Sequence, residues 1–172
     1  AEHGGLSAFG REVVGRMNAL GMMVDMSHAA ESSFYDALGL STAPIVCSHS
    51  SSRALCNHPR NLTDDQMKAL AAKGGVAQVT LYHGFLRQEG EATILDALEH
   101  LHHMVNVMGP EHVGIGTDFD GDGSVRGLKD ASELIGFTRE LLRQRYSEQD
   151  LQGIWGGNFL RVMRQVQASA AL

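Results

Sequence analysis

The sequence of 172 residues predicts an α/β fold made of parallel β/α units. Three observations predict it. Short apolar runs alternate with stretches of helical periodicity, the pattern of strands joined by crossover helices. The runs are apolar on both alternating positions, as strands covered on both faces are. Each run also ends in polar residues able to do chemistry, at the strand ends where parallel α/β folds collect their sites.

The elements follow in order. In "SAFGREVVGRMNALG", Phe9, Val13, Val14, Met17 and Leu20 recur at helical spacing, with Ser7 placed to cap the start and Gly21 to end it. "MMVDMS" follows as a first strand, then "ESSFYDALGL" as a short helix and "PIVCSHS" as a second strand. "LTDDQMKALAAKG" is a well-signalled helix, with Thr63 or Asp64 as cap, an acidic first turn and Gly74 as stop. "GVAQVTLY" is the third strand, "TILDALEHLHHMVNVMG" a third crossover helix and "HVGIGTDF" the fourth strand. In that helix Ile94, Leu98, Leu101, Met104, Val105 and Met108 form a core stripe. Two terminal helices close the chain, the second capped by Ser147 with Asp150 at its N3 position. Trp155, Gly156, Gly157 and Asn158 read as a structural junction within this last stretch. Four parallel strands fit a small doubly wound sheet or half of a (β/α)8 barrel. A complete barrel usually needs about 250 residues and rarely fewer than about 200. Residues 1–172 therefore read as a single domain or one piece of a domain.

Composition excludes several classes. With 43% hydrophobic and 20% charged residues the chain is ordinary for a globular domain, and no run is apolar enough to span a membrane. A net charge of −6 argues against a nucleic-acid partner. The first ten residues show no signal-peptide pattern, and Cys47 and Cys56 lack metal or redox spacing. Free thiols and a cytoplasmic location are the expectation.

The candidate site residues stand at the strand ends. The first run ends at His28, the second at His49, the third at Tyr82 and His83, the fourth at Asp118. A strand that merely needed a stop would use Gly, Asn or Asp. Histidine at a strand end is a natural ligand for zinc, although a hydrogen-bonded core histidine is the plainer reading of either one alone. Two histidines are also fewer than the three protein ligands a catalytic zinc takes. Asp118 lies in "GIGTDFDGDG", whose alternating aspartates lack the closing glutamate and entering helix of a calcium loop; a proton-transfer carboxylate is the better reading. Arg60, in the loop after the second strand, can hold a carboxylate bidentately, against the plainer reading of a surface arginine. His100 and His103, one helical turn apart, are expected to be solvated or capping; His3, His58 and His112 are expected in loops or at the surface.

The combination of "GLSAFGREVVGRMNALGMMVDMSH", "PIVCSHSSSRALCNHPRN", "HVGIGTDFDG" and "GGNFLRV" resembles the membrane (renal-type) dipeptidases, the M19 metallopeptidases of the amidohydrolase superfamily, over essentially the whole chain. The resemblance implies that the chain is the C-terminal half of a TIM (β/α)8 barrel, its four strands being the last four. His28 and His49 would be the histidine ligands of the second zinc of a binuclear pair. Arg60 would receive the C-terminal carboxylate of a dipeptide substrate, and Asp118 would shuttle a proton while a metal-bridging hydroxide attacks the peptide carbonyl. Phe85 falls near a place where some members carry tyrosine. The family's first-zinc His-x-Asp pair, its bridging glutamate and a further substrate-contacting histidine have no counterpart here. The resemblance therefore also implies self-association or pairing with an N-terminal half. Two alternatives are another amidohydrolase, such as a deaminase or lactonase, and an inactive half-barrel serving only in assembly.

Overall fold

The computed structural model describes residues 3–170. Helix α1, Ala8–Ala19, opens with the Ser7 hydroxyl accepting the Gly10 N–H and is released at Gly21, which has φ 66°. Helix α2, Glu31–Leu40, packs on α1; buried Asn18 ties the pair by accepting the Thr42 N–H at 2.8 Å and donating to Ser41 Oγ at 3.0 Å.

Strand β1, Val46–Cys47, leads through a long loop to α3, Asp64–Ala72, where Thr63 rather than Asp64 is the cap and forms a capping box with Gln66. Strand β2, Val76–Val79, is followed by one helical turn, α4, His83–Leu86. Helix α5, Ile94–Met108, opens on a Thr93–Asp96 capping box, and strand β3 is Val113–Ile115. Helices α6, Leu134–Arg143, α7, Glu148–Gln152, and α8, Asn158–Ala168, complete the chain. A π turn, Gly153–Gly157, joins α7 to α8 around Gly156 at φ 154°. Asn158 holds this junction in place, donating to the carbonyls of Pro110 and Val113 at 2.7 and 2.8 Å.

The sheet is parallel, in the order β1-β2-β3, with Val46 opposite Val76 and Ala77 opposite Val113. Both faces are covered. Cys47, Ala77, Val79 and Val113 join the large core with Met67 and Leu70 of α3 and Leu101 and Met104 of α5. Val46 and Val76 point the other way, against Val162 and Val166 of α8. This two-sided burial explains why the strands carry no polar alternation.

Two expectations are corrected. Of the four strands expected, three form a ladder among the described residues. "MMVDMS" makes only a bridge between Asp25 and Val46, closed by Val46 N–H to Val24 O and Met26 N–H to Val46 O, both 2.9 Å. Pairing stops there because the Asp25 carboxylate draws the Ser27 and Ser48 N–H groups to itself. The apolar stripe of α1 is likewise only half used. Val14 is buried, whereas Phe9 is 73% and Leu20 47% exposed, because no other element of the described chain covers the side of the helix they share with Val13.

Candidate active site

Parallel pairing puts the carboxyl ends of all three strands on one side, and the loops leaving them converge there. Two serine–histidine pairs meet first. Ser27 Oγ accepts the His49 N–H at 2.9 Å, which fastens the end of the first run to the end of β1. His28 Nε2 and His49 Nε2 then face each other at 2.8 Å.

Each ring is held from behind. His49 Nδ1 is 2.7 Å from Ser48 Oγ, and the Ser48 hydroxyl donates to Asp25 Oδ2. With its own proton committed to Asp25, Ser48 Oγ accepts from His49 Nδ1–H, which leaves the His49 Nε2 lone pair pointing into the site. On the other ring, Arg60 Nη1 donates to His28 Nδ1 at 2.8 Å. Desolvation raises the Asp25 carboxyl, but the bonds from Ser48 and Ser27 outweigh it and hold the group below the usual carboxylate range. Burial pushes the His28 imidazole down, Arg60 and His49 push the same way, and Asp118 and Asp25 oppose them.

Arg60 is positioned by three contacts. Its Nε donates to Ser27 O at 3.0 Å, its Nη1 meets His28, and its guanidinium carbon lies 5.1 Å from the centre of the Phe85 ring. Its second terminal nitrogen, Nη2, is shielded from water and has no partner among the described residues. Burial draws the guanidinium below its usual range, against the pull of Asp118 and Asp25, and it remains a cation.

Asp118 follows β3 in a left-handed conformation at φ 59°, with its carbonyl accepting the Gly121 and Gly123 N–H groups at 2.9 and 2.7 Å. Its carboxylate is close enough to act electrostatically on both His28 and Arg60 but makes no hydrogen bond to either. Gly116 lets this loop reach the site, since a Cβ there would collide with the Ser48 carbonyl oxygen.

The structure thus brings His28, His49 and Arg60 into contact and sets Asp118 beside them. As placed, Arg60 donates to His28 Nδ1, so the His28 proton sits on Nε2 and is given to the His49 Nε2 lone pair. Imidazole nitrogens suit a transition-metal ion such as zinc; His49 Nε2 is free to ligate, and His28 Nε2 would join it once Arg60 leaves Nδ1. The set is incomplete: among the described residues no cluster of three or more His, Cys, Asp or Glu side chains could hold a metal.

Sequence reasoning missed Asp25 and Ser48, although a lone aspartate inside an apolar run was a visible signal. It also misplaced His100, which is 1% exposed. Buried between the loop after β1 and α4, His100 accepts the Ser52 N–H at Nδ1 and donates from Nε2 to Leu86 O, both at 3.0 Å. His103 meets Asp64 at 2.7 Å, and His112 donates to Gly75 O at 2.7 Å. Cys47 and Cys56 are free and buried.

The family model described as membrane dipeptidase (peptidase family M19) matches residues 1–172. An uncharacterised dipeptidase, C965.12, of Schizosaccharomyces pombe is 42% identical over 170 residues, which are 96% of this chain and 41% of that protein. The crystal structure of the probable dipeptidase PvdM from Pseudomonas aeruginosa superposes with a TM-score of 0.94 at 31% identity, over 98% of this chain and 56% of that one. A metallopeptidase from Rhodobacter sphaeroides, liganded with a phosphinate mimic of the dipeptide L-Ala-D-Ala, gives 0.89 at 31% identity, over 94% and 47%. The chain therefore spans about two fifths of its sequence relative and about half of these structures. It belongs to the membrane dipeptidase family, peptidase family M19.

Proposed function

We propose that residues 1–172 are one half of a (β/α)8 barrel and carry the carboxylate-binding and half of the metal-binding machinery of a zinc-dependent dipeptidase. The observation that carries the reading is the facing pair of His28 and His49 Nε2 atoms with the Arg60 guanidinium against them. The phosphinate dipeptide mimic bound by the Rhodobacter relative supports a dipeptide as substrate.

In this reading His28 and His49 hold zinc, and further ligands come from outside these residues. When bound, zinc polarises the scissile carbonyl and acidifies a water molecule. Arg60 receives the C-terminal carboxylate of the dipeptide, which sets the substrate's length and register. Asp118 takes the proton of the attacking water and passes it to the departing amine as the C–N bond breaks. Asp25, through Ser48, keeps His49 in the tautomer that offers Nε2 inward.

The test is zinc content after loading and desalting, with Ala-Ala hydrolysis read on the same sample, for this chain alone and mixed with the N-terminal remainder of the parent protein. Zinc retention and turnover that appear on mixing support the reading. A loaded mixture that retains zinc at both histidines and leaves Ala-Ala intact overturns the dipeptidase assignment. The incomplete ligand set and the exposed side of α1 favour a second reading, a segment that serves only in assembly. A reconstituted complex that forms without retaining zinc would select it.

A further inference from the structure

The arginine that faces the substrate does not stand on its own packing, and the residue after it explains how it is held. Asn61 is 1% exposed. Its Oδ1 accepts the Ser51 N–H at 3.2 Å, and its Nδ2 donates to Cys56 O at 2.8 Å and to Phe85 O at 2.7 Å. The first bond reaches back to the start of the loop after β1, the second to its middle, and the third across to α4. These are the two segments that set the guanidinium: the loop carries Arg60, and α4 carries the ring beneath it. His58 packs on the other part of that ring at 4.5 Å, and its Nδ1 accepts the Arg60 N–H at 3.2 Å.

We infer that Asn61 is a positioning residue for Arg60: its buried amide locks the Arg60 loop to α4 and so fixes the guanidinium between Phe85, Ser27 and His28. The inference rests on the reading of Arg60 as the carboxylate receptor. The chemistry asks for an amide here. An aspartate has the same shape and keeps the acceptor for Ser51, but it would turn both donors into a carboxylate aimed at two carbonyls. A leucine would leave all three partners unpaired.

The experiment reads Arg60 directly, without substrate. In the intact chain labelled with 15N, the Nε–H of Arg60 is expected to be shifted by the Phe85 ring current and to exchange slowly with water because it is bonded to Ser27 O. Asn61→Asp is expected to move that signal and to speed its exchange at least about tenfold, the equilibrium change carried by either one of the two buried hydrogen bonds it loses. Ser147→Ala, which removes a distant helix cap, is the control for a general loss of stability and is expected to leave the signal in place. Asn61→Ala removes all three amide bonds without burying a charge, so it tests the same coupling if Asn61→Asp does not fold. An Arg60 signal unmoved in folded Asn61→Asp, or unmoved in folded Asn61→Ala, overturns the inference. Titration of the same signal with Ala-Ala tests the carboxylate reading separately, because positioning and ligand binding shift it in different samples.

Discussion

His100 makes acid stability a sharp test of how this site is supported. Burial presses its pKa from an ordinary value near 6.5 to about 4, helped by His103 and opposed by the Leu86 hydrogen bond and Asp96. The geometry gives the reason. Nδ1 already accepts the Ser52 N–H and Nε2–H already donates to Leu86 O, so a second proton would set two donors against each other. The folded pKa is depressed, so the unfolded chain binds the proton first. The stability from neutral His100 is therefore complete above about pH 6.5 and is lost as pH falls toward about 4. From about pH 7 to about pH 4.5 the loss is roughly 2 kcal/mol for this one group. The assay is urea unfolding of the wild type and His100→Gln across that range. Gln keeps a polar amide at the position and does not titrate. The wild type is expected to lose roughly 2 kcal/mol more than the variant between the two ends. Parallel pH profiles for the two proteins would refute the reasoning, because every other carboxylate and imidazole is common to both.

Other expectations follow from the same geometry. Ser48→Ala cuts the link from Asp25 to His49 and is expected to weaken zinc binding roughly 10–100-fold, read by competition with a chromophoric chelator. Arg60→Lys keeps the charge but loses the fork, and calorimetry with Ala-Ala on the reconstituted enzyme is expected to show roughly tenfold weaker binding. Gly116→Ala drives a methyl group at the Ser48 carbonyl and is expected to cost about 1–3 kcal/mol in chemical denaturation. Thr63→Ala removes the cap of α3, and a loss of about 1 kcal/mol is expected in the same measurement.

The helices were legible because their signals are local. Ser7 and Ser147 cap where sequence placed them, Thr63 is the one of its two candidates that caps α3, and Leu98, Leu101, Met104 and Met108 of the α5 stripe are buried. Strand extent was less legible because it is settled by partners. "MMVDMS" has the apolar character of a strand, yet Asp25 spends its neighbours' N–H groups on its own carboxylate. The convergence of His28, His49 and Arg60 was readable only because each stood at a run's end or in the loop after it. The supporting residues could not be found that way. Nothing in "EHLHH" distinguishes His100, which is buried, from His103, which is half-exposed; only the packing of α5 against the loop after β1 separates them. Asn61 likewise reads as a loop polar residue until its three partners are seen.

The four hydrogen bonds from Arg60 through His28, His49 and Ser48 to Asp25 run from a cation to an anion. Such a row is polarised from one end to the other, and the two imidazoles sit at different points along it. His49 leans on a carboxylate and is made electron-rich; His28 leans on a guanidinium and is made electron-poor. Two identical side chains, facing each other across one gap, are therefore unequal: His28 gives its Nε2 proton and His49 receives it. The asymmetry is written into their second neighbours, a serine on one side and an arginine on the other.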